Sequence, residues 1–409
     1  MSETLPHSTP QPGVAVVGTR GPVLIIGAGL IGGSVGLALR RAGVDVYLRD
    51  ASPTAMALGE SLGAGRVWSE GLPAPSLVLV ATPPDVTADV VLAALREFPA
   101  AFVFDVSSVK DAVVHEVVAG DSAAAPRYCS VHPMAGKEVN GVGAATADLF
   151  AGRPWVVVAH QTTRPDVVLA ARTLGTDLGA FLLTLDADEH DRAVALVSHV
   201  PQLVSSLMAG LLVTAPPAAL ELAGGGLRDV TRIAASDPRL WNAILAGNET
   251  AVREILVELQ GNLQALIAGL SPDIPCDTGN PDVNPTKTIL PTRPCDPSQT
   301  AAHTAWNSPA VGAINKVLVR GNEGVGRIPG KHGDAASKYG VVAVLVPDEP
   351  GFLGRLFNEV GSAGINVEDF RLEHSLGQAR GLAYLYVTPA SVEPLMEHLA
   401  KQGWSLAEV

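Results

Sequence analysis

The sequence predicts an α/β domain, an all-α domain and a small α+β domain, in that order. Three observations carry this reading. From Pro22 to about Asp186, short apolar runs alternate with helix-like segments, the pattern of an open parallel sheet wound with helices. From Asp188 to about Leu270 the pattern is helical throughout. Residues 339–409 then read strand–helix–strand–strand–helix–strand, the order of a ferredoxin-like unit. The expected organisation is a flexible tail at 1–20, domains at 21–187 and 188–270, a linker at 271–338 and the last domain at 339–409.

The first apolar run, Val23 to Ile26, meets Gly27, Gly29 and Gly32 and continues into a helix-like stretch ending near Arg41. A dinucleotide pyrophosphate needs that strand–turn–helix order. Gly27 permits the tight turn, Gly29 lets backbone approach the phosphates, and Gly32 lets the helix pack on the sheet. Leu30 and Ile31 open the helix, whose N-terminal N–H groups face the anion. The next apolar run, Val44 to Arg49, ends at Asp50. A carboxylate there binds the adenosine ribose hydroxyls and repels a 2′-phosphate, so the expected cofactor is NAD rather than NADP.

Two further strands end in polar turns. Ser76 to Ala81 runs into Thr82-Pro83-Pro84-Asp85 and a helix from Val86 to Leu95; Ala101 to Val106 runs into Ser107-Ser108-Val109-Lys110. Ligands in open α/β sheets bind beyond the carboxyl ends of the strands, which puts Thr82, Ser107 and Ser108 on the rim of the glycine turn. A Ser-Ser pair in that position also serves as an ordinary helix cap. A fifth run ends at His132, with Pro133 and Gly136 forcing a loop. Its imidazole suits proton transfer near neutrality, although a lone histidine is as readily structural. Trp155 to Ala159 and Ala180 to Leu185 complete the domain.

In the helical region, His190 to Val213 is apolar on almost every face and is expected to be buried, in part against a second copy. Pro201 removes one backbone hydrogen bond and is expected to kink this helix. His199 and Gln202 share a face beside the kink, as a ligand pair or as partners for freed backbone groups. Asp229 and Arg232 are spaced as a surface ion pair, yet the Arg232 guanidinium also suits two-bond recognition of a carboxylate. Ser236-Asp237-Pro238 reads as a helix start, and Asn248-Glu249 as the cap of a final helix over Thr250–Ala268. Residues 271–300, rich in Pro, Thr, Asn and Asp, carry little periodicity, with a more ordered stretch expected around Ile314–Val319.

The 409 residues carry a net charge of −13, which argues against nucleic-acid binding, so an anionic substrate requires specific arginines. Three cysteines, Cys129, Cys276 and Cys295, form neither a disulfide framework nor a metal-ligand spacing, pointing to a reducing cytoplasm and no metal. Residues 1–20 lack the basic start and apolar core of a signal peptide. No uncharged apolar run is expected to reach the ~20 residues of a membrane span.

Six motifs in order resemble the prephenate dehydrogenases of tyrosine biosynthesis and their arogenate-using relatives. They are Gly27 to Ser34, Asp105 to Lys110, His132 to Gly136, Asp188-Glu189-His190-Asp191, Ser198 to Pro201 and Asp229 to Ala234, the last continuing into Ser236-Asp237-Pro238 and Trp241. Residues 339–409 resemble an ACT domain through Asp348 to Leu353 and Gly364-Ile365-Asn366. The resemblance implies NAD-dependent oxidative decarboxylation of a cyclohexadienol, with His132 as general base and Ser108 holding the same hydroxyl. It implies that Arg232 binds the ring carboxylate, His199 lies near the substrate, and Glu138, Asp229 and Trp241 line the pocket mouth. Many members of the family carry a second histidine where this chain has Gln202, which leaves the substrate side chain open between a keto acid and an amino acid. A homodimer and L-tyrosine as effector at the ACT domain are further expectations.

Overall fold

The computed structural model describes residues 17–136, 141–270, 309–329, 339–374 and 380–407. The chain forms two compact units, 1–258 and 259–409. In the first, strands β1 (Val23–Ile26), β2 (Val46–Arg49), β3 (Arg66–Val67), β4 (Leu77–Val80), β5 (Phe102–Asp105), β6 (Tyr128–Pro133), β7 (Pro154–Val158) and β8 (Phe181–Thr184) form one sheet. Their spatial order is β3-β2-β1-β4-β5-β6-β7-β8, so the direction of winding reverses between β1 and β4. That reversal opens a crevice at the carboxyl ends of the two strands.

Alternation along the strands builds a core on each face of the sheet. Val23, Ile25, Leu79, Phe104 and Val131 point to one side, where Val35 and Leu39 of helix α1 (Leu30–Arg41) cover them. Leu24, Val78, Val80 and Val103 point to the other side. There they meet α3 (Pro84–Glu97) and α4 (Asp111–Gly120), which follow α2 (Pro53–Ser61) in the chain. Helix α5 (Pro165–Asp177) packs by Val167, Ala171 and Leu174 on the first core. Two features were not anticipated from the sequence. The α2–β3 excursion has too few apolar residues to announce itself, and β7 runs antiparallel to β6, pairing Val156 with His132.

The helical part begins with α6 (Ala187–Val194), a π-helical turn over Ala195–His199, and α7 (Val200–Gly210). The π turn lies directly ahead of Pro201 and widens the helix where proline lacks its N–H and its ring crowds the preceding turn. Within one chain only one face is buried, which leaves the rest for the expected second copy. Leu196, Val197, Leu207 and Leu211 are 60%, 64%, 68% and 68% exposed. The inner face instead holds His190, Asp191, His199, Gln202 and Ser205. The continuous stretch Ala187–Thr214 is also long and apolar enough, by length and composition, to cross a bilayer, contrary to the sequence expectation. Five of its polar side chains, His190, Asp191, His199, Gln202 and Ser205, are buried within the unit. Helices α8 (Pro217–Glu221), α9 (Gly225–Thr231), α10 (Pro238–Ala246) and α11 (Glu249–Leu270) follow. Asp237 caps α10, with proline at the first helical position as predicted, and Trp241 and Ile244 pack onto the second core.

In the second unit, α12 (Pro309–Val325) occupies part of the expected linker. Its apolar residues Val311, Ile314, Val317 and Leu318 have helical spacing that the polar segment before them obscures. Gly269 lies so close to Ala313 that an added Cβ would stand 2.3 Å from the alanine methyl. Residues 271–308 and 330–338, with Cys276 and Cys295, lie outside the described residues. The C-terminal sheet, β9 (Gly340–Pro347), β10 (Asp369–His374), β11 (Arg380–Val387) and β12 (Ser405–Ala407), is antiparallel in the order β10-β11-β9-β12. With α13 (Phe352–Ser362) and α14 (Val392–Lys401) it is a ferredoxin-like βαββαβ fold. Val342, Val344, Leu356, Leu385, Leu395 and Leu399 form its core.

Candidate active site

The glycine turn has the form its sequence predicts. Gly27 takes φ +109°, and a Cβ there would stand 2.2 Å from the Ala81 carbonyl oxygen. A Cβ on Gly32 would stand 2.0 Å from the Gly27 oxygen, so only glycine lets α1 approach this closely. Gly29, by contrast, faces open space, with nothing within 4 Å of an added Cβ. No side chain caps α1, so the N–H groups of its first turn, at Leu30 and Ile31, lack intrahelical partners and suit an anion.

Asp50 follows β2 and lies on the same turn. One carboxylate oxygen accepts from the Ala28 N–H at 2.6 Å, and the other from the Ser52 N–H at 2.7 Å. Each oxygen keeps a lone pair for a hydroxyl group. The neighbouring Arg49 is committed elsewhere, bonding both oxygens of Glu97 at 2.7 Å and lying over Trp68 and Phe98. Thr82 and Ser107 serve their own turns. The Thr82 hydroxyl meets Thr87 at 3.1 Å, and the buried Ser107 hydroxyl accepts from the Val109 N–H at 3.4 Å. Ser108 is half-buried in the same turn.

Register brings the chemistry to one level. Ile26 pairs with Val80, Val80 with Asp105, and Asp105 with Ser130, so the residues just beyond them share one rim. Asp105 is fully buried there. It accepts from Lys110 Nζ at 2.9 Å, the Tyr128 hydroxyl at 2.7 Å, the Ser107 N–H at 2.8 Å and the Ser130 hydroxyl. Lys110 is buried as completely; burial lowers its pKa and Asp105 opposes that shift. Burial, with Asp105, pushes the Tyr128 phenol up. Burial likewise raises the Cys129 thiol to about 12, which leaves it unreactive.

His132 closes β6 above this network. Burial first, then the charge of Lys110, holds it well below the ordinary imidazole range, so it is neutral. Its Nδ1 lies 2.8 Å from His190 Nε2, and His190 Nδ1 lies 2.7 Å from an Asp191 carboxylate oxygen. Asp191 also accepts from the Lys110 and Asp111 N–H groups, both at 2.9 Å, across the start of α4. Asn248 donates to the Asp191 carbonyl at 2.7 Å and lies 3.1 Å from His199 Nδ1. An amide that donates to a carbonyl presents its second N–H to His199 Nδ1, leaving the His199 proton on Nε2. Burial pushes His199 down to about 4, with Asp191 opposing.

Gln202 does not pair with His199; its amide donates to the Ser236 hydroxyl at 2.7 Å, joining α7 to the start of α10. Arg232 is exposed on a short turn (Arg232–Ala234) that packs on α7. Glu138 lies outside the described residues. Sequence reasoning brought His132, His199 and the glycine turn to notice but assigned no role to His190, Asp191, Lys110 or Asp105. Each lies in a motif already singled out. The 58 positions between His132 and His190 carry no periodic signal that would join them.

A glycine turn open to a dinucleotide, a neutral buried histidine and a peripheral arginine suit oxidation of an anionic alcohol. Comparison with known proteins agrees. Residues 35–183 match the nucleotide-binding domain of prephenate dehydrogenase, and residues 186–273 match its dimerisation domain. A probable prephenate dehydrogenase, NovF, of Streptomyces niveus is 32% identical over 93% of this chain and 98% of its own. The prephenate dehydrogenase of Bacillus subtilis is 30% identical over 56% of this chain and 65% of its own. Among solved structures, prephenate dehydrogenase of A. aeolicus, in complex with hydroxyphenyl propionate and NAD+, is 25% identical. It has a TM-score of 0.56 over 62% of this chain and 91% of its own. Arogenate dehydrogenase of Synechocystis, also 25% identical, has a TM-score of 0.53 over 60% and 90%.

Proposed function

This chain belongs to the prephenate dehydrogenase family, and on that premise we propose that it catalyses NAD-dependent oxidative decarboxylation of prephenate to 4-hydroxyphenylpyruvate. The observation that carries the reading is His132, buried and neutral on the rim that also bears the glycine turn. The open space at Gly29 and the Asp50 carboxylate beside Ala28 fit a dinucleotide. Gly27, Gly29, Leu30, Ile31 and Gly32 hold its pyrophosphate and Asp50 its ribose, while Thr82 and Ser107 shape the floor. Arg49, held by Glu97, is not poised for a 2′-phosphate, which favours NAD. When bound, the cofactor supplies the hydride acceptor.

His132 takes the proton of the 4-hydroxyl as hydride leaves ring carbon 4. Ser108 holds the same hydroxyl, and Arg232 holds the ring carboxylate until its carbon–carbon bond breaks. The electron pair of that bond enters the ring, restores aromaticity and releases CO₂. The phenolate oxygen then recovers its proton from His132. His199, a donor through Nε2, and Gln202 border the substrate.

The second reading is arogenate dehydrogenase, which Gln202 admits equally, since its amide both donates and accepts. Dimerisation through the apolar outer face of α6 and α7, around Leu196, Leu207 and Leu211, agrees with the matched dimerisation domain. The C-terminal unit is the ACT-like regulatory domain, with L-tyrosine as effector. A cavity of about 170 Å³ there is lined by Phe352, Arg355, Arg380 and Trp404, a combination suited to an aromatic amino acid. Steady-state kinetics with prephenate and with arogenate, each with NAD+ and NADP+ and with and without L-tyrosine, test these readings together. Prephenate with NAD+ is expected to turn over best, and His132→Ala to lose at least ~10²-fold in kcat while still binding NAD+. No turnover of prephenate, or normal turnover by His132→Ala, overturns the reading.

A further inference from the structure

His132 is buried among charges that disfavour a proton on it, which makes it a weak base if it acts alone. The ammonium of Lys110 approaches from the start of α4, and the titratable rings of His199, on the π turn, and His190, on α6, would add to it if protonated. The carboxylates of this network are Asp105, bonded to Lys110, and Asp191, bonded to His190. We propose that His190 and Asp191 form a positioning dyad that fixes the tautomer of His132 and takes over its charge during the reaction. This inference rests on the assignment of His132 as the base.

The hydrogen bonds determine the protons in order. Asp191 accepts the Lys110 and Asp111 amides, one on each carboxylate oxygen, at the start of α4. An ionised carboxylate only accepts, so His190 carries its proton on Nδ1. The Nε2 of neutral His190 is then a lone pair, facing His132 Nδ1 at 2.8 Å. His132 therefore carries its proton on Nδ1, and its Nε2 is left as the lone pair for substrate. A protonated His190 would reverse this and leave His132 Nε2 blocked by hydrogen.

The same bonds give the charge a place to go. As substrate O–H breaks and His132 Nε2–H forms, the His132 Nδ1–H proton moves to His190 Nε2. His132 is again neutral, and the imidazolium is His190, beside the Asp191 carboxylate at 2.7 Å. The transfer reverses when the phenolate recovers its proton. A purely structural role would account for Asp191, which bridges α4 and α6. It would not require His190 to align on the far nitrogen of His132.

The test uses the full-length enzyme with prephenate and NAD+. His190→Ala is expected to lower kcat by about 10²–10³-fold, with KM for both substrates within about threefold, since orientation and tautomer act on the transition state. His190→Gln can still accept from His132 Nδ1–H but cannot take up a proton, so it is expected to recover about tenfold of that loss. In mixed H₂O/D₂O the wild-type rate is expected to curve as two protons move, and that of His190→Gln to become linear. A wild-type pH profile and kcat in either variant, or a linear inventory in the wild type, overturns the dyad. A parallel loss of kcat and NAD+ affinity with no difference between Ala and Gln overturns it in favour of a structural role. If His190→Ala does not fold, the glutamine variant and the wild-type inventory decide. An inactive His132→Ala beside a normal His190→Ala removes the dyad alone; a normal His132→Ala removes the base assignment itself.

Discussion

Removing either half of the Lys110–Asp105 pair tests how the floor of the active site is held, and the two halves are not equivalent. In Lys110→Met, Asp105 keeps the Tyr128 and Ser130 hydroxyls and the Ser107 N–H. The change removes one charge-assisted hydrogen bond of about 1.5–3 kcal/mol and fills the space with an unbranched chain. In Asp105→Ala, a buried ammonium loses its partner, at about 3–5 kcal/mol, and three buried donors lose their acceptor at about 1–3 kcal/mol each. These costs are not additive among neighbours, so about 5 kcal/mol or more is expected for Asp105→Ala against about 2 for Lys110→Met. At roughly 2–4 °C per kcal/mol, Lys110→Met loses about 4–8 °C in Tm, and Asp105→Ala loses about 10–20 °C or does not accumulate folded. Urea titration and calorimetry of the full-length protein measure both. A Lys110→Met cost equal to that of Asp105→Ala, or a cost below about 1 kcal/mol in either, would refute the asymmetry.

Two further outcomes follow from the site. Gly27→Ala, with positive φ and a carbonyl 2.2 Å away, is expected to destabilise the first unit, whereas Gly29→Ala leaves Tm unchanged and weakens NAD+ binding. Calorimetry and NAD+ titration separate the two, and a normal NAD+ affinity in Gly29→Ala would remove the cradle. His132 and His199 are held below their ordinary range, so the unfolded chain takes up protons that the folded chain refuses. The stability they contribute is complete above about pH 6.5 and is lost as pH falls toward about 4. The urea midpoint is expected to fall between about pH 6.5 and pH 5, less steeply in His199→Gln, and an unchanged slope in that variant counts against the assignment.

What was legible in the sequence was local. Val23 to Gly32 announces a strand, a turn and a helix because each step has its own residue chemistry, and the C-terminal βαββαβ order follows from alternation and periodicity alone. What was not legible depends on partners distant in sequence. Asp191 caps a helix that starts 80 residues earlier, and no local pattern reports that contact. The outer face of α6 and α7 was legible as a covered surface, but apolar residues alone do not say whether the same chain or a second copy covers it. Helix α12 showed in the sequence only as an ordered stretch around Ile314–Val319, without its type or bounds, and β7 reads as a strand with no sign of its direction.

The antiparallel step from β6 to β7 has a consequence for geometry. Because β7 returns along β6, the chain leaving His132 need not cross to the opposite edge of the sheet before re-entering it. Part of that connection lies on the first turns of α1, where Val142 fills the space beside Gly33 and the Thr146 N–H donates to Ser34 at 3.1 Å. The base and the phosphate-binding helix are thus joined by a covalent span with contacts at both ends. Sheet pairing fixes where His132 stands, so the contacts of Val142 and Thr146 brace the first turns of α1 from the strand that carries the base.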